Sequence, residues 1–238
     1  MSKEVGFFGA IEGGDGSGKG TQAKLYGDYA RDILGKDVLE LDFPRYGERS
    51  ARYVERYLNG DYGTVNQVPA ELASLPYALD RFGTKDTIQE YLERPNGFIL
   101  TNRFSASNFA HQGTKFENET DRHAYYEEMM WLEWDFLGIP SPDANIVLLA
   151  KTALAQINVD KKAERGYTTL KRDIHEADAN HLEKAKYNYQ ELTRLYPDRF
   201  IAVDTMANED EMRSIDDIQL EIRNIFQQQV DIKTAYSL

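Results

Sequence analysis

Cysteine is absent from the 238 residues of the chain. That excludes a disulfide framework and a thiolate metal site, and it fits a reducing compartment such as the cytoplasm. Basic charge is also scarce: 28 Lys and Arg stand against 40 Asp and Glu, a formal net charge of −12. A chain this acidic is no general binder of nucleic acid or of an anionic membrane. Any site for a polyanion must be local, built from a few placed Arg and Lys residues, while the acidic excess reads as solvated helix faces. No apolar run approaches the roughly 20 residues of a membrane span. The N-terminal Met-Ser-Lys-Glu lacks the basic region and apolar stretch of a signal peptide. Internal repeats and low-complexity linkers are missing too, so one domain over 1–238 is expected, long enough to bury a sizeable core.

What the chain does contain is alternation. Apolar runs of strand length at 5–11, 37–42, 97–101, 145–150 and 199–203 are separated by helical patterns at 22–34, 48–59, 70–93, 105–112, 121–137, 176–196 and 209–229. This predicts an α/β fold, a five-stranded and mainly parallel sheet with helices on both faces. Ligands of such sheets bind beyond the carboxyl ends of the strands, so residues just after each run are the candidates. The polar stretch 161–172 breaks the pattern with Lys161, Lys162, Arg165, Lys171 and Arg172. It reads either as a mobile basic flap over a phosphate site or as a charged connection between helices. The pattern at 121–137 carries Tyr125, Tyr126, Met129, Trp131 and Trp134, which suits core or subunit contact better than a ligand box. The last stretch, 227–238, matches no motif and is expected to be a frayed tail.

The strongest motif is Gly13-Gly14-Asp15-Gly16-Ser17-Gly18-Lys19-Gly20-Thr21, set between the first apolar run and the first helical pattern. Its spacing is that of a phosphate-cradling P-loop. The glycines let successive N–H groups converge on an anion, and the following helix adds the positive end of its dipole. Lys19 supplies a charge for β- and γ-phosphates of a nucleoside triphosphate. One position is off pattern: Gly20 stands where a magnesium-binding hydroxyl is usual, so that hydroxyl is either lost or supplied by Thr21.

After the second apolar run come Phe43-Pro44-Arg45-Tyr46-Gly47, and after the third come Asn102-Arg103. Each arginine emerges where a phosphate-bearing substrate can lie, and Arg103 can grip one with two parallel hydrogen bonds. Asn102 stands where many P-loop enzymes carry a magnesium-linked aspartate, and it is a poorer metal partner. Tyr77 and Arg81 are four apart on one helix face. They can stack on a base and bond its edge, or serve as an ordinary packing tyrosine and a surface arginine. Asp173 and Glu176, three apart at a helix start, suit a sugar hydroxyl or a metal, or Glu176 assists the N-terminal cap.

In this order these segments resemble the thymidylate kinase family of P-loop nucleoside monophosphate kinases. The resemblance spans nearly the whole chain. It adds Ser105-Ala-Ser107-Asn108-Phe-Ala-His-Gln112, Gly138-Ile-Pro-Ser-Pro-Asp143 and Arg172-Asp-Ile-His-Glu176 to the motifs above. It implies a P-loop NTPase fold with a short lid at 161–172, and the reaction ATP + dTMP → ADP + dTDP with magnesium. It also implies a cytoplasmic homodimer. By the resemblance, Asp15 meets the sugar and a metal-linked water, and Arg45 and Arg103 hold the acceptor phosphate. Tyr77 stacks on thymine, Arg81 meets the base edge, and Ser107, Asn108 and Gln112 contact base and sugar. Asp173 and Glu176 lie near sugar and metal, and Arg165 or Arg172 is the lid cation. Asn102 replaces the family's Asp, so Asp15 and Glu176 are expected to carry more of the metal binding. Rival readings are a broader deoxynucleotide kinase that also accepts dUMP, a nucleotide-binding homologue with little turnover, and a P-loop ATPase.

Overall fold

The computed structural model describes residues 6–151 and 179–236. Five strands form one sheet in the order β2-β3-β1-β4-β5, and all four ladders are parallel. The strands are β1 (Phe7–Gly13), β2 (Asp37–Asp42), β3 (Gly97–Asn102), β4 (Ala144–Leu149) and β5 (Phe200–Asp204). Every residue of the central strand β1 is buried, whereas the edge strand β2 alternates between exposed and half-buried positions. That contrast is expected of a sheet covered on both faces, with an edge open to water.

Alternation along β1 assigns the helix layers. Phe7 and Ile11 point to one face and meet Tyr26 of α1 (Lys19–Asp32) and Ile222 and Phe226 of α8 (Ile215–Tyr236). Phe8 and Ala10 point to the other, where they pack with Ile88 of α4 (Lys85–Glu93) and with Phe104. On that second face, α5 (Ser105–Gly113), α6 (Glu119–Met130) and α7 (Ala179–Leu195) close over β4 and β5 through Phe109, Tyr126, Tyr189, Leu192 and Phe200. The period of two thus becomes a three-layer α/β/α sandwich. Two further helices, α2 (Arg52–Leu58) and α3 (Ala70–Phe82), form a small cluster of their own around Tyr57 and Ala73.

Three expectations from the sequence need correction. The pattern at 70–93 is not one helix, because it breaks between α3 and α4 at Gly83-Thr84. Glycine is a weak helix former, and the Thr84 hydroxyl donates to the Arg81 carbonyl at 2.7 Å. The pattern at 209–229 starts late. Residues 209–214 form a loop, and Ser214 starts α8 by accepting from the Asp217 N–H at 3.1 Å. The expected frayed tail is helical through Tyr236. The predicted pattern at 121–137 ends in a π-helical turn over Trp131–Phe136, where its aromatic stripe divides. Tyr125, Tyr126 and Met129 are core, and Trp131 and Phe136 are exposed.

Candidate active site

The site lies at the carboxyl ends of β1, β2 and β3, as the topology demands. The loop between β1 and α1 carries positive φ at Gly13 (134°), Gly16 (77°) and Gly18 (91°). Gly13 has no tolerable substitute: a Cβ there would stand 2.6 Å from the Leu148 carbonyl oxygen. The Ser17 N–H bonds the Gly14 carbonyl at 3.3 Å, closing the loop. Lys19 turns back over the loop and donates to Gly14 O at 3.0 Å and to Asp15 Oδ1 at 3.1 Å.

Across from this loop, Arg103 follows β3 directly and takes the left-handed conformation, φ 66°. Two anchors hold it. Its N–H donates to the Ile11 carbonyl at 3.0 Å. Glu12, fully buried on β1, accepts from the Phe104 N–H at 2.8 Å, the Ala106 N–H at 3.1 Å and the Ser107 hydroxyl. A carboxylate at the start of α5 suits the helix dipole, while burial raises the Glu12 pKa above the ordinary range. The Arg103 guanidinium reaches Asp15, the Gly13 carbonyl and Ser107. Burial opposes its charge, but Asp15, Tyr189, Glu12 and Tyr46 together outweigh it and raise its pKa. One carboxylate, Asp15, therefore joins a loop cation and a strand-end cation.

Between them is a cavity of about 380 Å³. Its wall includes Asp15, Gly16, Gly18, Lys19, Gly20, Tyr77, Arg81, Arg103, Ser107, Asn108 and Gln112, all singled out from the sequence. Tyr77 is set edge-on to Tyr57, with ring centroids 6.3 Å apart. Arg81 is buried and paired with Glu133 through two donors, and its Nη1 donates to the Phe104 carbonyl at 3.3 Å. Asn108 carries a buried Oδ1 that accepts no hydrogen bond.

Other candidates sit elsewhere. Arg45 is not among the lining residues; its Nε meets Asp80 at 3.1 Å and its Nη2 meets Ser50 at 2.6 Å. Thr21 is exposed and does not line the cavity, and Gly13, Gly14 and Ser17 frame the loop behind it. The lid stretch 161–172, with Arg165 and Arg172, and the acids Asp173 and Glu176 lie outside the described residues.

The structure adds wall residues to which the sequence reading gives no individual role, chiefly Asp42, Phe43, Pro44, Tyr46, Phe104 and His111. Most follow a strand end directly, so the same strand-end rule identifies them. His111 lies four after Ser107 on α5, a spacing that puts both on one helix face. Its ring nitrogen Nδ1 is 3.2 Å from Nε2 of His181 on α7. Burial, then His181 and Arg103, push the His111 pKa well below its ordinary value. Away from the cavity, Glu119, His123 and Glu191 come close enough to suggest a cation site. There Arg122 already pairs with Glu191 through two donors, which favours an ion pair over a metal.

The thymidylate kinase family profile matches residues 11–215. The chain belongs to the thymidylate kinase family. It is 28% identical over 205 residues to the thymidylate kinase of Caulobacter vibrioides, covering 86% of this chain and 91% of that one. To the thymidylate kinase of Clavibacter michiganensis it is 25% identical over 210 residues, covering 87% and 91%. In fold it resembles the thymidylate kinase of Candida albicans, with TM-score 0.66 and 20% identity over 94% of this chain and 92% of the other. The Ehrlichia chaffeensis thymidylate kinase gives TM-score 0.63 and 17% identity over 93% and 99%. The chain is a nucleoside monophosphate kinase, a transferase that phosphorylates dTMP with ATP as donor. Among the described residues no helix is long and apolar enough to cross a membrane.

Proposed function

We propose that the cavity is a two-substrate site in which Lys19 faces the donor phosphates and Arg103 holds the dTMP phosphate. The observation that carries this reading is the single carboxylate of Asp15 bonded to both cations. The attacking group is a phosphate oxygen, already anionic, so no strong general base is needed. The protein's task is to align two anions that repel and to offset charge on the transferred group. Arg165 or Arg172 supplies a further cation from the lid, and lid closure excludes water.

The residues present suit magnesium. The Asp15 carboxylate lies at the cavity, and Asn102, also on its wall, has a carboxamide oxygen that is shielded and accepts no hydrogen bond. Asp15 and Glu176 would hold the ion, and Thr21, exposed and off the cavity wall, is not placed to add its hydroxyl. Bound there, magnesium screens the charge of the phosphates.

Tyr77 offers a face to the base, Arg81 its remaining donors, and Asn108 Oδ1 an acceptor for a pyrimidine N3–H. Gln112, Ser107 and Asp173 complete the base and sugar contacts. Thymine and uracil share that N3–H. Only the methyl separates them, worth about 1–3 kcal/mol in an apolar pocket. A second acceptor, dUMP, is therefore the alternative reading. Arg45 serves the acceptor phosphate if it exchanges Asp80 for the ligand. The exposed apolar residues Leu72, Leu75, Leu79 and Phe82 on α3 support a homodimer. The lack of cysteine supports a cytoplasmic setting.

A coupled ADP-release assay over a panel of monophosphates tests the reading. dTMP should be phosphorylated above all others, and Arg103→Ala should lower kcat by roughly 100-fold or more. ADP release without any acceptor would favour an ATPase, and nucleotide binding without turnover an inactive homologue.

A further inference from the structure

The last residues of β2 and β3 form an unusual pair. The two strands run parallel with Asp42 in register with Asn102. The Asn102 Nδ2 donates to Asp42 Oδ1 at 3.0 Å. That bond fixes the amide orientation, because the reverse would set oxygen against oxygen. The Asn102 Oδ1 is thereby turned to a place where it is shielded from solvent and accepts nothing. Both side chains line the cavity, on the wall that holds Lys19 and Gly20. Gly20 brings no side chain between them: a Cβ there would be 3.7 Å from Asn102 Nδ2. So the P-loop end of the cavity has lost a hydroxyl at 20 and a charge at 102. Across the same ladder rung, it has a carboxylate at 42.

We infer that Asp42 is the displaced acid of this site, a positioning residue that works through Asn102 for a divalent cation accompanying the donor nucleotide. The carboxylate polarises the carboxamide through the N–H···O bond. The carboxamide oxygen then offers a strengthened acceptor to the cation or to its bound water. Parallel pairing explains why the exchange is tolerated. Residues in register on neighbouring strands end at the same height on the sheet, so a charge moved from β3 to β2 stays at the same edge. Asp42 is exposed at the sheet edge as well as lining the cavity, and the bond to Asn102 carries its influence to the shielded carboxamide oxygen.

This inference rests on the two-substrate reading above, and its test separates the two. The probe is Mn2+, titrated into the full-length enzyme with saturating ADP, with free Mn2+ read by electron paramagnetic resonance. ADP affinity without metal is measured in parallel. Asp42→Asn should weaken Mn2+ binding in the ADP complex by roughly 10-fold or more and leave metal-free ADP affinity unchanged. The exchanged variant Asp42→Asn/Asn102→Asp should restore it by returning the acid to β3. Equal Mn2+ affinity in wild type and Asp42→Asn overturns the inference, and so does a parallel loss of metal-free ADP binding, which marks a merely structural role. If Asp42→Asn does not fold, the Asn102→Asp variant decides. A second acid beside Asp42 should tighten Mn2+, and no change there also overturns it. Failure of wild type to bind ADP at all would instead sink the two-substrate reading.

Discussion

Arg103 shows how a residue becomes useful through its backbone. Its left-handed φ is imposed by the Ile11 carbonyl on one side and the Glu12-bound turn on the other. The strand-end rule located it because only chain direction was needed. The same rule located Arg45, yet that side chain lies against Asp80 and Ser50. Sequence order places a long side chain at a sheet edge but cannot choose among the partners that folding brings within reach. His111 was legible only as a helix-face neighbour of Ser107. It makes a sharp prediction at this scale. Facing His181, Arg103, Asp15 and Lys19, it prefers the neutral form, with its pKa well below 6.5. As pH falls through about 6.5, the unfolded chain takes up a proton here and the folded chain does not, so stability falls with acidification. Urea midpoints should therefore drop more steeply from pH 7.5 to 5.5 in wild type than in His111→Gln. Parallel slopes would show that His111 takes up its proton as readily in the fold as in the unfolded chain.

At the scale of elements, the central strands were read closely because burial on both faces leaves long apolar runs. Helix ends were read less well. The break at Gly83-Thr84 and the late start of α8 both depend on one hydroxyl, Thr84 to Arg81 or Ser214 to Asp217, and the helical pattern continues across such points. The end of α8 was misread for another reason: its anchor is far away in sequence. Lys233 donates to the Gly6 carbonyl at 2.8 Å and to Asp143 Oδ2 at 2.7 Å. The same carboxylate oxygen accepts from the Phe8 N–H at 2.8 Å. Asp143 thus ties the last helix to the first strand, and its motif, Gly138-Ile-Pro-Ser-Pro-Asp143, is structural here. Removing Lys233 forfeits an ion pair about a quarter exposed and costs about 0–1 kcal/mol. Removing Asp143 leaves the Phe8 N–H without its acceptor and takes one acceptor from the Lys233 ammonium, and costs about 1–3 kcal/mol. Urea denaturation should rank Asp143→Ala below Lys233→Ala. Equal midpoints would mean that α8 docks through Phe226 and Ile222 alone.

At the scale of the whole molecule, among the described residues, the functional cations Lys19 and Arg103 stand at the carboxyl ends of the strands, whereas four acids, Glu12, Asp80, Glu133 and Glu191, are buried on hydrogen-bond partners rather than solvated. Among the described residues an apolar region is also left uncovered, apart from the exposed Trp131 and Phe136. Along α3, Leu72, Leu75, Leu79 and Phe82 recur at helical spacing with exposures of 58, 39, 47 and 44%. Beside them Tyr53 and Tyr62 of the α2 region line a shallow apolar depression. A stripe this regular is what a partner helix would cover, and a second copy is the occupant that the homodimer reading requires. The same helix carries Tyr77 and Arg81 toward the nucleotide site. Its outer face would be held by the partner while its inner face holds the base. Separating the copies should then do more than halve the mass. Leu75→Asp with Leu79→Asp should sediment as a monomer where wild type sediments as a dimer. It should also raise KM for dTMP more than KM for ATP, because only the acceptor pocket is built on α3. A double variant that remains dimeric would move the interface elsewhere. A monomer with both KM values unchanged would show that α3 holds its inner face without a partner.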